Sequence, residues 1–138
     1  MNSHDRTLQI LASYYSAFNA GNSDAMLDLL ANEVIHDLNE GPREIGKAVF
    51  AAFNQRMARC YREQLVDIVL MASADGRHAA AEFIVEGSYI ATDEGLPTAR
   101  GQSYRLPAGA FFELHDERIT RVSMYYNLHG WLAQIANE

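Results

Sequence analysis

Two adjacent ionisable residues, His36 and Asp37, stand in the otherwise apolar segment from Val34 to Leu38. Neighbouring residues of a strand point to opposite faces of a sheet, so only one of these side chains can enter an interior pocket. A carboxylate that faces an apolar cavity has a raised pKa, which suits it to act as a general base. The other interpretation is structural: Asp37 caps a turn or pairs with an arginine at a rim. Spacing alone favours neither interpretation.

The common catalytic and cofactor motifs do not occur in this sequence. It has no GxxxxGK[ST] or GxGxxG phosphate loop, no GxSxG elbow, and no HExxH spacing among its five histidines. Cys60 is the single cysteine, and its place on an apolar helix stripe predicts a buried packing residue. We therefore expect no metal site and no organic cofactor.

Aromatic residues are plentiful, with seven tyrosines, six phenylalanines and one tryptophan. Most of them are expected to pack in the core. A domain of this size also has room for an apolar cavity, and tyrosine hydroxyls would then supply its polar contacts.

The spacing of apolar residues predicts helices in the first half of the chain and long strands in the second. Helices are predicted over about 4–20, from Asn22 or Ser23 to Leu30, over about 47–61, and around Trp131 to Ile135. Strands are predicted over 34–38, 65–71, 78–90, 103–114 and 119–128. This order predicts an α+β fold in which helices cover one face of an antiparallel sheet.

Composition limits the class of protein and its partners. A chain of 138 residues that is 49% apolar suits one domain with a hydrophobic core. Eleven basic against eighteen acidic residues give a net charge of −7, which argues against nucleic acid as a partner. No apolar run reaches the roughly 18 residues of a membrane helix. With a polar start and a lone cysteine, we expect no membrane partner and a cytoplasmic location.

Several stretches carry a resemblance to a known family. They read YYSAFNAGN at 14–22, LLANEVIHD at 29–37, AGAFFE at 108–113, RITRV at 118–122 and YYNL at 125–128. Together they resemble the NTF2-like superfamily, and within it the ketosteroid-isomerase-related proteins of the SnoaL-like polyketide-cyclase group. The resemblance covers essentially the whole chain, so one NTF2-like (SnoaL-like) domain is expected over residues 1–138.

The resemblance implies a cone, in which a strongly curved antiparallel sheet wraps around three N-terminal helices and encloses a ligand cavity. It also implies a homodimer formed through the outer face of the sheet. The general base of the steroid isomerases corresponds here to Asp37, and their oxyanion-holding tyrosine corresponds to Tyr14. Their protonated acid corresponds to Gly109, which has no side-chain donor. Losing one oxyanion donor typically costs about 10²–10³ in rate.

The function implied is that of an isomerase- or cyclase-like enzyme. It would carry out cofactor-free acid–base (enolisation) chemistry on a small hydrophobic carbonyl compound. Asp37 would take a proton next to the carbonyl, and Tyr14 would hold the enolate oxygen. The pocket is expected to be lined by four aromatic residues: Phe18, Phe83, Phe111 and Tyr126. The alternative is a non-catalytic NTF2-like module that binds a small molecule or dimerises.

Overall fold

Four helices are present in the computed structural model, which describes residues 1–136 of the chain. They are α1 (Ser3–Asn19), α2 (Ser23–Leu27), α3 (Lys47–Cys60) and α4 (Leu128–Ile135). Asparagine side chains cap three of them at the N-terminus: Asn2, Asn22 and Asn127. The domain predicted over 1–138 ends in two residues that lie outside the described part.

Six strands form one mixed sheet. They are β1 (Leu30–Asp37), β2 (Arg43–Ile45), β3 (Tyr61–Ala72), β4 (His78–Tyr89), β5 (Gln102–His115) and β6 (Arg118–Tyr126). Their order across the sheet is β2-β1-β6-β5-β4-β3. The predicted α+β class is confirmed. The sheet differs from the expected antiparallel one in a single pair, because β1 runs parallel to β6.

The inner face of the sheet is the side that α1 and α3 cover. Tyr14 and Tyr15 of α1 contact Phe112 and Phe83 on this face, and His36 of β1 contacts α3 through Phe50. The Asn19 side chain also bonds the backbone of β3 at Leu65. The inner-face side chains and the helices form the hydrophobic core.

The outer face is the side of the sheet that no described helix covers. It carries the exposed side chains of Val69, Met71, Phe111 and Tyr125. The rings of Phe111 and Tyr125 meet edge to face at 5.6 Å between centroids. A bulge in β3 between Val66 and Val69, with Asp67 at a positive φ of 54°, bends this strand.

Candidate functional site

Asp37 lies on the outer face of the sheet rather than in the interior. Arg43 donates to its two carboxylate oxygens at 2.6 and 3.0 Å, and the Ser123 hydroxyl donates at 2.8 Å. These contacts hold the pKa of Asp37 below its usual value, with the Arg43 hydrogen bond as the largest cause. The expectation of an interior carboxylate with a raised pKa is therefore corrected. The arginine-paired interpretation describes this residue.

The Asp37 contacts belong to a polar network that crosses the outer face. Arg121 donates to the Ser123 hydroxyl and pairs with Glu113 at 3.2 Å. His78 stands 3.6 Å from the other oxygen of Glu113. The network joins neighbouring strands from β2 to β4, so it braces the sheet.

His36 occupies the interior position that the sequence left open between the two residues. It is 5% exposed, and its ring lies 4.4 Å from Phe50 and 4.7 Å from Phe53 between centroids. Burial lowers the pKa of His36 to about 4, although the nearby Asp37 charge acts in the opposite direction. The imidazole is therefore neutral at physiological pH.

Tyr14 faces the interior, as the resemblance implies. Its ring meets Tyr15 at 5.2 Å and Phe112 at 5.8 Å, both edge to face. Burial raises the pKa of its phenol. Because Asp37 points to the opposite side of the sheet, the structure does not bring Tyr14 and Asp37 together.

The four aromatic residues expected to line a pocket fall in different places. Phe83 is buried against Tyr15, Phe18 is partly buried against the core, and Tyr126 is partly buried beside Trp131. The prediction for Phe111 is wrong, because 53% of this residue is exposed on the outer face. Strand alternation sends the next residue, Phe112, into the core instead.

An interior carboxyl that the sequence analysis missed is Glu63 of β3. It shares the inner face with Tyr61 and Leu65, two residues before and after it. The Tyr104 hydroxyl donates to Glu63 Oε2 at 2.5 Å. Burial raises the pKa of Glu63, and the Tyr104 hydrogen bond opposes that shift. The alternation of Tyr61, Glu63 and Leu65 was the sequence signal for an inward-facing carboxyl.

Gly87 makes the contact between Tyr104 and Glu63 possible. It lies on β4 between the two residues, paired with Glu63 on one side and with Tyr104 on the other. A Cβ atom at position 87 would stand 2.4 Å from Cζ of Tyr104. The missing side chain therefore lets the Tyr104 ring lie across β4 and reach the carboxyl.

Tyr104, which donates to this carboxyl, belongs to a group of packed aromatic rings. Trp131 of α4 contacts Tyr61 at 5.8 Å, Tyr104 at 5.9 Å and Tyr126 at 6.4 Å between ring centroids. The charge of Glu63 raises the pKa values of both Tyr104 and Tyr126, in addition to the larger effect of burial. Glu63 and these three tyrosines thus form one cluster, which we call the Glu63 cluster.

The loop from residue 90 to 101 is tied to the same end of the sheet. The Tyr61 hydroxyl donates to Asp93 at 2.8 Å, and Arg56 of α3 stands 3.5 Å from the second oxygen of Asp93. The Tyr89 hydroxyl donates to the Pro97 carbonyl at 2.6 Å. These bonds position the loop beside the Glu63 cluster.

Residues 1–136 contain no group of three or more His, Cys, Asp or Glu side chains arranged to hold a metal ion. Within the same range, no helix has the length and apolar character needed to cross a membrane.

The family model for a SnoaL-like domain matches residues 11–122. The chain therefore belongs to the SnoaL-like domain family. A comparison with curated proteins found no match.

Solved structures of similar proteins support this family. A candidate polyketide cyclase from Xanthomonas campestris is 55% identical, with 98% of this chain and 100% of that chain covered and a TM-score of 0.96. A candidate polyketide cyclase from Pseudomonas putida is 57% identical, with 99% of each chain covered and a TM-score of 0.93. An NTF2-like protein from Burkholderia xenovorans, 16% identical, has a TM-score of 0.75 over 97% of this chain and 98% of that one. The predicted NTF2-like cone fold is confirmed.

Proposed function

We propose that this protein is a cytoplasmic, cofactor-free acid–base enzyme that acts on a small, largely apolar carbonyl compound, in the manner of an isomerase or a polyketide cyclase. The observation that supports it is the Glu63 carboxyl on the inner face, which accepts a hydrogen bond from Tyr104 and whose pKa is raised by burial. A carboxyl with a raised pKa is a stronger base than an ordinary carboxylate, so it is better suited to accept a proton from carbon and return it. The cytoplasmic location rests on the sequence alone.

In the proposed reaction, the Glu63 carboxylate removes a proton from the carbon next to the carbonyl. The C–H electron pair moves into the carbonyl group, and an enolate forms. The resulting carboxylic acid, whose proton exchanges with water, returns a proton to the same carbon, or, when the substrate is a β,γ-unsaturated ketone, to the far carbon of the conjugated dienolate, which completes an isomerisation without oxidant or cofactor. Tyr104 holds the carboxyl in place throughout, because its hydroxyl donates to Oε2 of Glu63.

Asp37 has no part in this proposal, since it is paired with Arg43 on the outer face. Tyr14 remains an interior hydroxyl that can donate to a substrate oxygen, as the resemblance implies. We infer the substrate class from the aromatic residues of the Glu63 cluster: Tyr61 and Tyr126 both pack against Trp131, and the carboxyl next to Tyr61, Asp93, is already bonded to the Tyr61 hydroxyl. Aromatic surroundings favour a flat or cyclic apolar compound with few charges.

The experiment is hydrogen–deuterium exchange next to the carbonyl in a panel of small cyclic ketones, followed by NMR in D₂O. The wild-type protein should accelerate exchange for at least one ketone, and Glu63→Gln should abolish the acceleration. Glu82→Gln is the matched control, because Glu82 is an exposed glutamate of the neighbouring strand. Exchange that survives in Glu63→Gln would overturn the proposal. Ketone binding without any exchange would favour the non-catalytic binding module.

We also propose that the protein forms a homodimer through the outer face. Apolar surface is exposed there by Val69 and Met71 on β3, Phe111 on β5 and Tyr125 on β6. Exposed apolar patches on a sheet commonly mark contact surfaces. A second copy would cover these side chains without blocking the inner face.

A further inference from the structure

The space beside the Glu63 cluster is filled by the indole of Trp131. Its ring packs within 5.8 to 6.4 Å, between centroids, of all three tyrosines of the cluster. Those tyrosines stand on β3, β5 and β6, so one side chain covers rings from three strands. Two surface clefts of residues 1–136 lie elsewhere, one beside Lys47 at the start of α3 and the other along α1 and α2. A ring-shaped ligand that approaches Glu63 therefore competes with the indole for this space.

The helix that carries Trp131, α4, lies where β6 has ended. The last pair between β5 and β6 joins Ala108 to Tyr126, so β6 does not reach the backbone of Arg105. The side-chain amide of Gln134 takes the place of a strand there. It accepts from the Arg105 N–H at 2.7 Å and donates to the Arg105 carbonyl at 3.1 Å. One side chain thus makes the two hydrogen bonds with which a neighbouring strand would hold this residue.

The remaining polar contacts of α4 lie at the same end of the helix. Gln102 donates to the carbonyl of Ile135, and Arg100 donates to the carbonyl of Ala136, both at 3.0 Å. The bonds made by Gln134 and Arg100 are exposed to solvent. Because water can replace the partner in an exposed hydrogen bond, such bonds oppose local opening only weakly. The polar attachment of α4 is therefore easily released.

The loop from residue 90 to 101, which also lies beside the Glu63 cluster, is held differently. The Tyr61 hydroxyl donates to the Asp93 carboxylate at 2.8 Å, and the Asp93 N–H donates to the Tyr89 hydroxyl at 2.9 Å. Both bonds are buried, so breaking them would leave buried polar groups unpaired. Of these two elements, α4 is the one that can move at the lower cost.

The backbone of Asn127 connects β6 to α4 and provides a hinge. It is extended, with φ of −76° and ψ of 99°, and the side chain accepts from the Gly130 N–H at 3.0 Å. The Asn127 carbonyl accepts from the Trp131 N–H, also at 3.0 Å. These bonds cap the first turn of α4. The helix can therefore turn as one unit about Asn127 without unwinding.

We propose that α4 is a lid over the Glu63 cluster and that Trp131 is the side chain which a ligand displaces. When a ring-shaped ketone binds, the Gln134 amide releases Arg105, α4 turns at Asn127, and the ligand takes the position of the indole. Arg105 is an exposed residue, so water satisfies its backbone groups when the lid is open. The inference rests on the proposed function, because it concerns how the substrate reaches Glu63.

The test uses the fluorescence of Trp131, which is the single tryptophan of the chain. The probe is 2-tetralone, a two-ring ketone whose binding is followed by NMR. Acrylamide should quench Trp131 weakly in the free wild-type protein and about twofold more strongly at saturating 2-tetralone, because the open state is then populated. A ligand bound beneath a closed α4 would shield the indole instead. Lowered or unchanged quenching at saturation would overturn the inference.

Gln134→Ala separates motion of α4 from a flip of the indole alone. It removes both bonds to Arg105, so the open state gains population and 2-tetralone should bind about tenfold more tightly. Gln55→Ala, at an exposed glutamine of α3, is the matched control and should bind as wild type does. A Gln134→Ala protein with lower thermal stability but unchanged affinity would overturn the lid, while ketone exchange in wild type would keep the proposed function standing. Absence of both 2-tetralone binding and ketone exchange in wild type would overturn both.

Discussion

The hydroxyl of Tyr104 donates a 2.5 Å hydrogen bond to the carboxyl of Glu63, although a whole strand separates the two residues. Gly87 of that intervening strand provides the space. The row formed by these three residues places a carboxyl with a raised pKa at a defined point of the inner face. This carboxyl is the interior group on which the proposed proton transfer depends.

Gly87→Ala should disrupt this row. The added methyl group would stand 2.4 Å from Cζ of Tyr104, so the ring must move away from Glu63. We expect a loss of about 1–3 kcal/mol in unfolding free energy, as for other overpacked cores, together with loss of ketone exchange. Chemical denaturation measures the first effect. Gly130→Ala in α4 is the control, and equal stability of the two variants would contradict the prediction.

Glu63→Gln should stabilise the protein at neutral pH while removing activity. A carboxyl whose pKa is raised by folding binds its proton more tightly in the folded state, so stability falls as pH rises through the folded pKa. The glutamine variant has no charge to bury, and its advantage should disappear in acid. Thermal denaturation across a pH series measures this. A variant less stable than wild type at pH 7 would count against the raised pKa.

The pH dependence of stability should also report His36. Its pKa falls from 6.5 to about 4 on folding, so the unfolded chain binds the proton more readily. Stability is therefore complete above about pH 6.5 and is lost as pH falls toward 4, by an amount on the order of 3 kcal/mol. His36→Phe should remove this loss, whereas His115→Phe, at an exposed position, should retain it. If wild type and His36→Phe lost the same amount of stability as the pH falls from 6.5 to 4, the attribution of this loss to His36 would be wrong.

Asp37→Asn should affect stability but not catalysis. Its side chain is 28% exposed and paired with Arg43, so the substitution should cost about 1 kcal/mol at pH 7. Because folding lowers the pKa of Asp37, its contribution exists above the unfolded pKa and disappears as pH falls through the folded value. The difference from wild type should therefore shrink below about pH 4. A large loss of ketone exchange in Asp37→Asn would return the base role to this residue.

Phe111→Glu should dissociate the proposed dimer. The phenylalanine is exposed next to Tyr125 on the outer face, and a carboxylate there would have to be desolvated against a second copy. Light scattering coupled to size exclusion should give a dimer for wild type and a monomer for the variant. Val49→Glu, at an exposed apolar position of α3, should remain dimeric. A monomeric wild-type protein would contradict the proposed dimer.

The sequence by itself determined the types and order of most elements. Apolar spacing predicted α1 and α3 to within about a residue, and the alternating segments predicted the four long strands. The spacing of apolar residues in a helix or a strand is a local property of the sequence, so it can be recognised without tertiary information. The short strand β2 was not predicted, because three residues that follow a turn are too few to show the alternation of polar and apolar residues typical of a strand. The SnoaL-like resemblance also came from the sequence alone.

Tertiary structure decided which side chains enter the interior. Sequence analysis left His36 and Asp37 unresolved and placed Phe111 inside instead of Phe112. A register shift of one residue moves every side chain of a strand to the opposite face of the sheet. The local sequence pattern therefore cannot decide which of two adjacent residues faces the interior. The hydrogen-bond partner of Glu63 likewise depends on the register of three strands. That register aligns Glu63, Gly87 and Tyr104 in one row, although Tyr104 is 41 residues from Glu63 in the sequence.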